Sequence, residues 1–242
     1  MAACTCGSDS RVTRGDSDLC PACLLRLALE PSVAGDEATR ILGPVGRGPR
    51  GSVFMGVRPE GDSRIVTVKL LEDVANRQAF CDRVTETSRA LDILMHPAIP
   101  ELVEVGVTAA GQPYVMAPYV AGLSLREFLR SHLTDPIGRA NVARQLCSVV
   151  AALHQHGIVH GSLKPTNIVI TESEDGPWLF VLDTGIAEAV AFAASGAGAV
   201  TVAMDEQDLR GVVAEILGKS ADALAGTGSA AQLVAMFERP VA

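Results

Sequence analysis

The stretch that decides the fold runs from residue 154 to residue 168 and reads HQHGIVHGSLKPTNI. Before it, residues 137–156 carry apolar side chains at three- and four-residue spacing, which predicts one face of a helix. After it, residues 168–170 (IVI) and 179–182 (LFVL) are short apolar runs typical of buried strands. A second short motif, LDTG, closes this region at residues 182–185. The polar motifs therefore lie in loops between a helix and short buried strands.

A glycine-rich motif stands near the start of the globular part of the chain. Residues 46–53 read GRGPRGSV and fit the pattern G-x-G-x-x-G-x-V. Glycines at Gly46, Gly48 and Gly51 would let the backbone approach phosphate oxygens without a Cβ clash. A Rossmann turn has the same glycines but must open a helix, whereas here a β-branched run follows directly. The sequence favours a hairpin over phosphates, and an ordinary glycine-rich turn is the alternative.

A lysine occupies the next predicted strand. Lys69 ends the run VTVK at residues 66–69, and a lysine within an apolar strand usually needs a partner. It is predicted to bind phosphate oxygens while a glutamate on the following helix, residues 79–94, holds it in place. Glu86 is the best candidate for that glutamate. The alternative is a lysine at a strand end that reaches solvent.

Four motifs together resemble the catalytic core of the bacterial, eukaryotic-like Ser/Thr protein kinases. Residues 160–167 (HGSLKPTN) resemble the catalytic loop H-R-D-L-K-P-x-N, and LDTG resembles the metal-binding D-F-G. Residues 114–122 (YVMAPYVAG) resemble the hinge that holds adenine, and residues 96–99 (HPAI) resemble the turn after the first-lobe helix. The resemblance covers about residues 41–218, with the motifs in the family's order.

The resemblance implies an α+β, two-lobed fold and a nucleotide site. The N-lobe, residues 41–121, would be β-rich, and the C-lobe, residues 122–242, would be helical. ATP and Mg²⁺ are the implied ligands. The resemblance implies that Lys69 and Lys164 contact phosphates and that Asn167 and Asp183 bind Mg²⁺. It also implies that the backbone of Val120 contacts adenine. The side chains implied to contact the adenine ring are Val53, Thr67 and Val169.

The sequence departs from the family at the residues that matter most for catalysis. Ser162 stands where the family has the aspartate that accepts the proton of the attacking hydroxyl. Gly161 replaces the neighbouring arginine, and Thr184 replaces the phenylalanine of D-F-G. Thr67 adds bulk and a hydroxyl against adenine, and Pro118 removes one backbone donor from the hinge. We therefore predict degenerate catalysis.

The second lobe is expected to be truncated. Residues 208–218 resemble the central helix of that lobe, and fewer residues follow it than the family normally places there. No A-P-E-like segment is found between residues 185 and 205. The platform for a protein substrate is therefore expected to be largely absent.

Residues 1–27 contain four cysteines in two close pairs, Cys4 with Cys6 and Cys20 with Cys23. Thiolate pairs suit tetrahedral Zn²⁺, and the segment resembles the zinc ribbons found ahead of some bacterial kinase domains. Free thiols and a redox pair are the alternatives. Residues 28–40 are predicted to be a linker.

Composition limits the partners and the compartment. The formal net charge of −8 over 242 residues leaves no basic surplus for nucleic acid or an anionic membrane. Residues 1–16 lack an apolar signal-peptide core, so a cytoplasmic protein is expected. Residues 189–204 are rich in Ala and Gly, too short for a membrane span, and are predicted to form a loop or a poorly specified segment. Cys81 and Cys147 are predicted to be buried apolar positions on helices.

The leading prediction is a pseudokinase that binds ATP and works as a regulatory or scaffolding module for an unidentified protein partner in signalling. One alternative is a weak or atypical Ser/Thr kinase that uses water or another carboxylate as the base. The other alternative is a decayed kinase domain that binds no nucleotide.

Overall fold

The computed structural model describes residues 39–48, 50–58, 64–131, 135–174, 176–196, 200–224, 226 and 228–237. The cysteine pairs of residues 1–27 and most of the predicted linker lie outside these residues. The chain divides into two compact units. The first comprises Met1–Arg77 and Leu102–Tyr119, and the second comprises Gln78–Glu101 and Val120–Ala242.

The first unit is built on a five-stranded antiparallel sheet with the order β1-β2-β3-β5-β4. Its strands are β1 (Arg40–Gly48), β2 (Gly51–Arg58), β3 (Arg64–Leu71), β4 (Glu104–Val107) and β5 (Pro113–Pro118). β-Branched and aromatic side chains alternate along the central strands, so one face of the sheet is buried. The buried cluster consists of Phe54, Val66, Val68, Leu70, Tyr114 and Met116.

The glycine motif forms the tight turn between β1 and β2, as its sequence predicts. Gly48 lies opposite Gly51, and the backbone amide of Glu72 donates to the carbonyl of Arg50 at 3.0 Å. Gly51 has a φ of +140°, and a Cβ there would lie 1.8 Å from the carbonyl oxygen of Leu70. Only glycine fits so close to β3. The third glycine of the motif is therefore required by packing within the sheet itself.

The second unit is mainly helical and includes a small three-stranded sheet with the order β6-β7-β8. Its strands are β6 (Leu123–Ser124), β7 (Ile168–Ser173) and β8 (Gly176–Val181). The helices are α1 (Arg77–Leu94), α2 (Leu125–Ser131), α3 (Pro136–Gln155), α4 (Ile186–Ser195), α5 (Val202–Leu217) and α6 (Ala230–Phe237). Two 3₁₀ turns, Pro165–Asn167 and Ala221–Leu224, complete the elements described.

Helix α3 forms the centre of this second unit. Asp135 caps it by accepting hydrogen bonds from the amides of Ile137 and Gly138, and Pro136 occupies its first turn. Cys147 is fully buried on α3, as predicted, and burial raises the pKa of its thiol to about 12, whereas Cys81 on α1 is only half-buried. The helical periodicity read from the sequence is confirmed on the buried face, which comprises Val142, Ala143, Leu146, Cys147, Val149, Val150, Ala151 and Leu153.

The prediction of a loop over residues 189–204 is wrong. Helix α4 covers Ile186–Ser195, and α5 begins at Val202, capped by the hydroxyl of Thr201, which accepts from the amide of Met204. Alanine has the best helix propensity, so small uncharged residues here build a helix that packs closely. Gly196 ends α4, with its amide donating to the carbonyl of Phe192.

The described part of the chain holds no helix that is both long enough and apolar enough to cross a bilayer. The strand-rich first unit and the helix-rich second unit confirm the predicted α+β class.

Candidate functional site

A buried carboxylate organises the turn at residues 160–162. Asp205, at the start of α5, is completely buried. Its Oδ2 accepts from the backbone amide of His160 at 2.6 Å, and its Oδ1 accepts from the amide of Gly161 at 2.7 Å. Gly161 has a φ of +80°, so no strand or helix can satisfy these amides. The carboxylate supplies the acceptors that the turn needs.

His160 extends this network toward the next loop. Its ring is fully buried, Nδ1 accepts from the amide of Ser162 at 3.2 Å, and Nε2 lies 2.9 Å from the carbonyl oxygen of Leu182. An accepting Nδ1 places the proton of the neutral ring on Nε2, which then donates to Leu182. The ring therefore joins the 160–162 turn to the LDTG loop.

Position 162 contributes its backbone to the site. The Ser162 carbonyl accepts from Nδ2 of Asn167 at 3.0 Å, and its amide donates to His160. Across the part of the chain that the structure describes, the Ser162 hydroxyl donates to no acceptor. No carboxylate or imidazole among these residues therefore activates this hydroxyl, and an alcohol by itself is not an effective general base.

Asn167 and Asp183, the two predicted magnesium ligands, are connected through the backbone. The amide of Leu182 donates to the carbonyl of Asn167 at 2.8 Å, which fixes the two loops together. The side-chain hydrogen bond of Asn167 uses its nitrogen, which leaves the amide oxygen as a ligand. An amide oxygen and a carboxylate are the hard donors that Mg²⁺ prefers, so these two residues fit the ion.

The LDTG loop is held in a costly conformation. Asp183 has a φ of +62°, in the left-handed region that side chains disfavour, whereas Gly185 adopts its φ of +76° without steric cost. The hydroxyl of Thr184, at the position of the family's phenylalanine, is buried and has no hydrogen-bond partner among the described residues. On the far side of the loop, the amide of Gly185 donates to the carbonyl of His160 at 3.2 Å.

The first unit carries the residues predicted to contact phosphates and the adenine ring. Lys69 lies on β3, directly opposite Val53 on β2. The hydroxyl of Thr67 donates to the carbonyl of Ala117 on β5 at 3.3 Å. At Gly46 and Gly48, an added Cβ would meet nothing within 4 Å. These two positions are therefore open, in contrast to Gly51.

Glu86, the predicted partner of Lys69, lies on α1 in the second unit. Its carboxylate is mostly exposed and accepts from Nη1 of Arg83 at 2.7 Å, one turn earlier on the same helix. Pairing of Glu86 with Lys69 stays a prediction, as do the ring contacts of Val169 and the hinge contact of Val120. Both valines are half-buried within the second unit.

A groove of about 570 Å³ lies beside the catalytic-loop segment in the second unit. Lys164, which is exposed, faces it from one side, and Asp208 and Glu215 of α5 face it from the other. Burial, followed by the nearby charge of Asp205, raises the pKa of Asp208. Glu215 accepts from Nε of Arg126 at 2.7 Å, so its charge is already paired.

Three important residues escaped the sequence reading, namely Asp205, Arg83 and Glu188. Asp205 was missed because the helix observed as α5 was predicted over residues 208–218, which left the aspartate in a loop. A signal was available, since Thr201 followed by acidic residues and an apolar run is typical of a helix start.

The described residues include no cluster of three or more His, Cys, Asp or Glu side chains placed to hold a metal.

Comparison with known proteins places this geometry in context. The family model for the protein kinase domain matches residues 39–204. The Ser/Thr protein kinase pkn2 of Myxococcus xanthus is 31% identical over 159 residues, which are 66% of this chain and 19% of that protein. PknK of Mycobacterium tuberculosis H37Rv is 35% identical over 130 residues, which are 53% of this chain and 12% of PknK. The chain thus spans about a fifth or less of these relatives.

Solved structures support the fold. The crystal structure of the M. tuberculosis PknI kinase domain has a TM-score of 0.57 and 21% identity, and the match covers 87% of this chain and 98% of that one. A double mutant of the same kinase domain gives a TM-score of 0.58 and 20% identity, with 82% of this chain and 83% of that one covered. The β-rich and helical halves predicted from the sequence agree with these neighbours.

Replacement of Asp205 by Asn should destabilise the chain while leaving its shape nearly unchanged. An amide offers one acceptor, so one backbone N–H would face an NH₂ group, and a buried unsatisfied donor costs about 1–3 kcal/mol. The free energy of unfolding from urea titration measures the loss. Glu206→Gln is the matched control, because the same chemical change one residue later is half-exposed and should cost less than about 0.5 kcal/mol. Equal values for the two variants would contradict the assigned role of Asp205.

Proposed function

This chain belongs to the protein kinase domain family, and we propose that it is a pseudokinase member of that family. It binds ATP with Mg²⁺ and acts as a regulatory or scaffolding module for a protein partner, without efficient phosphotransfer. The observation that carries this proposal is the unassisted hydroxyl of Ser162, which stands where the family uses a carboxylate. Loss of such a base typically lowers the rate by about 10²–10⁴-fold.

Retained phosphate and metal positions support the nucleotide half of the proposal. Lys69 would hold phosphates, and Asn167 and Asp183 would hold the ion through their side-chain oxygens. Bound Mg²⁺ would neutralise phosphate charge. Lys164, exposed beside the groove, supplies a further cation for the terminal phosphate.

The two departures at the adenine end differ in what they imply for nucleotide binding. The Thr67 hydroxyl already donates to Ala117, so adenine would not have to bury an unpaired polar group. Pro118 lacks an N–H, and the next amide along the chain, that of Tyr119, already donates to the carbonyl of Ile65 at 3.0 Å. The Thr67 contact therefore removes one objection to nucleotide binding, whereas the missing hinge donor at Pro118 still favours the decayed domain.

The second candidate function is a weak or atypical Ser/Thr kinase that transfers the γ-phosphate of ATP to a protein hydroxyl. Its support is the naming of the bacterial relatives as Ser/Thr protein kinases. Asp208, whose pKa is raised by burial, is a carboxylate in the groove beside Lys164. If the chain is a weak kinase, Asp208 is the carboxylate that would replace the missing base.

ATP with Mg²⁺ should raise the thermal stability of the chain. A ligand at 100 times its Kd adds about 2.7 kcal/mol, which for a chain of this size raises Tm by roughly 5–10 °C. The measurement is a thermal melt at millimolar ATP, with and without Mg²⁺. Lys69→Ala should abolish the shift, whereas Lys219→Ala, at an exposed position, should keep it. A flat response of the wild-type chain would leave the decayed domain as the better description.

Phosphotransfer should be absent at the rates of working kinases. With γ-labelled ATP, Mg²⁺ and a generic acceptor protein, the wild-type chain should incorporate no more label than Lys69→Ala. The reason is that Ser162 supplies no proton acceptor. Label that appears in the wild-type chain and disappears in both Lys69→Ala and Asp183→Ala would instead establish the atypical kinase. Loss of that label in Asp208→Asn would further identify the replacement base.

Zinc at Cys4, Cys6, Cys20 and Cys23 is the remaining part of the proposal. Its support is the sequence spacing alone, because two close thiolate pairs suit a tetrahedral Zn²⁺. Metal analysis of the whole chain should find about one zinc per molecule. Cys20→Ser/Cys23→Ser should lose it, and Cys147→Ser, at a buried position on α3, should retain it. Absence of zinc in the wild-type chain would refute this part alone.

A further inference from the structure

The segment that follows the LDTG loop is fixed by a bidentate ion pair. Arg83 on α1 places Nε 2.9 Å from Oε2 and Nη2 3.0 Å from Oε1 of Glu188 on α4. The side chain of Glu188 is only 14% exposed. Parallel N–H···O bonds between a guanidinium and a carboxylate are the strong, directional form of ion pair. This pair therefore determines how α4 lies against α1.

The same guanidinium makes two further contacts. Its Nη1 donates to Glu86 on its own helix, and its Cζ lies 5.5 Å from the centroid of the Phe192 ring, one turn beyond Glu188 on α4. The hydrogen bond to Glu188, ahead of that to Glu86, raises the pKa of Arg83, so the side chain is charged at any working pH. We call Arg83, Glu188 and Phe192 the clamp.

Two glycines let the clamped segment approach its neighbours closely. A Cβ at Gly185 would lie 2.6 Å from Cγ2 of Thr87, one turn after Arg83 on α1. A Cβ at Gly161 would lie 3.0 Å from the amide nitrogen of Glu188. Helix α4 is thus seated against α1 on one side and against the 160–162 turn on the other, directly after the loop that carries Asp183.

The clamp explains how that loop stays in its conformation. Asp183 has a positive φ, and Thr184 has a buried hydroxyl with no hydrogen-bond partner among the described residues. Both features persist only where the flanking structure holds them. On the N-terminal side the loop is held by the Leu182 amide bonded to Asn167. On the C-terminal side it continues into α4, whose position the clamp fixes.

We propose that Arg83 is a positioning residue, whose clamp on α4 holds Asp183 in the geometry that receives the magnesium ion of a bound nucleotide. The inference rests on the proposed nucleotide binding and adds to it the element that shapes the metal position. Arg83 acts through Glu188 and α4, and it makes no contact with the ligand itself. Loss of the clamp should therefore affect the metal-dependent part of binding.

The test compares four variants of the whole chain. Glu188→Gln removes the charge of the pair but leaves Arg83 bonded to Glu86, so it is cleaner than Arg83→Ala. The exchange Arg83→Glu/Glu188→Arg should rebuild the pair in reverse. Arg89→Ala is the matched control, since Arg89 is an exposed arginine on the same helix.

The rate of amide hydrogen exchange in α4, measured without ligand, tests directly whether the clamp holds this helix. Glu188→Gln and Arg83→Ala should speed exchange of the α4 amides by about fivefold or more, while the double exchange and Arg89→Ala should stay near the wild-type rate. Unchanged exchange in Glu188→Gln would overturn the clamp, whatever the chain binds.

The affinity for ATP, measured by titration with and without Mg²⁺, tests whether the clamp positions Asp183. Glu188→Gln should weaken ATP binding about tenfold with Mg²⁺ and less than about twofold in EDTA, with recovery in the double exchange. Equal losses in both conditions, or no loss in Mg²⁺ despite faster exchange, would overturn the positioning role. A wild-type chain that binds no ATP would refute the proposed function and the magnesium role together, while the exchange rates would still decide whether the clamp exists.

Discussion

The hydrogen bonds from the backbone of His160 and Gly161 to the buried carboxylate of Asp205 are the constraint on which the rest of the second unit depends. A left-handed turn exposes amides that no regular element can satisfy, and burying them unpaired would be costly. A carboxylate from α5 satisfies both amides at once, and Nε2 of His154 lies 3.2 Å from the same group. Burial of the charge is tolerated because these contacts are charge-assisted hydrogen bonds.

The hydrogen-bond network that starts at Asp205 includes the backbone of residue 162 but not its side chain, among the described residues. His160 contacts the Ser162 amide and the Leu182 carbonyl, Asn167 contacts the Ser162 carbonyl, and Leu182 in turn contacts Asn167. Within the described part of the chain, these contacts to residue 162 are made through its backbone. The side chain at this position therefore determines the chemistry without determining the geometry. A serine can thus stand where the family has an aspartate without changing the backbone contacts that join residues 160–162, Asn167 and Leu182.

The sequence predicts the parts of the structure that depend on local pattern. The apolar spacing along α3, the β-branched runs of β2 and β3 and the glycines at residues 46–51 are each a signal carried by neighbouring residues. The loop predicted at residues 189–204 failed because small residues carry little periodic contrast, although alanine itself favours a helix. The start of α5 carries a local signal, but the partners of Asp205 and of the Arg83–Glu188 pair could not be found by pattern, because they lie 44 or more residues away along the chain.

The strained loop is a better indication of ligand binding than the catalytic motif beside it. A positive φ at Asp183 and a buried Thr184 hydroxyl without a partner among the described residues both cost stability. Such features persist where a functional geometry requires them. Residue 162 has lost the group that performs the proton transfer, whereas the clamp and the Asn167 backbone bond still hold the costly conformation at Asp183. Under the proposed function, the demand that remains on this site is the placement of the Asp183 carboxylate for a cation, which is a requirement of binding and not of catalysis.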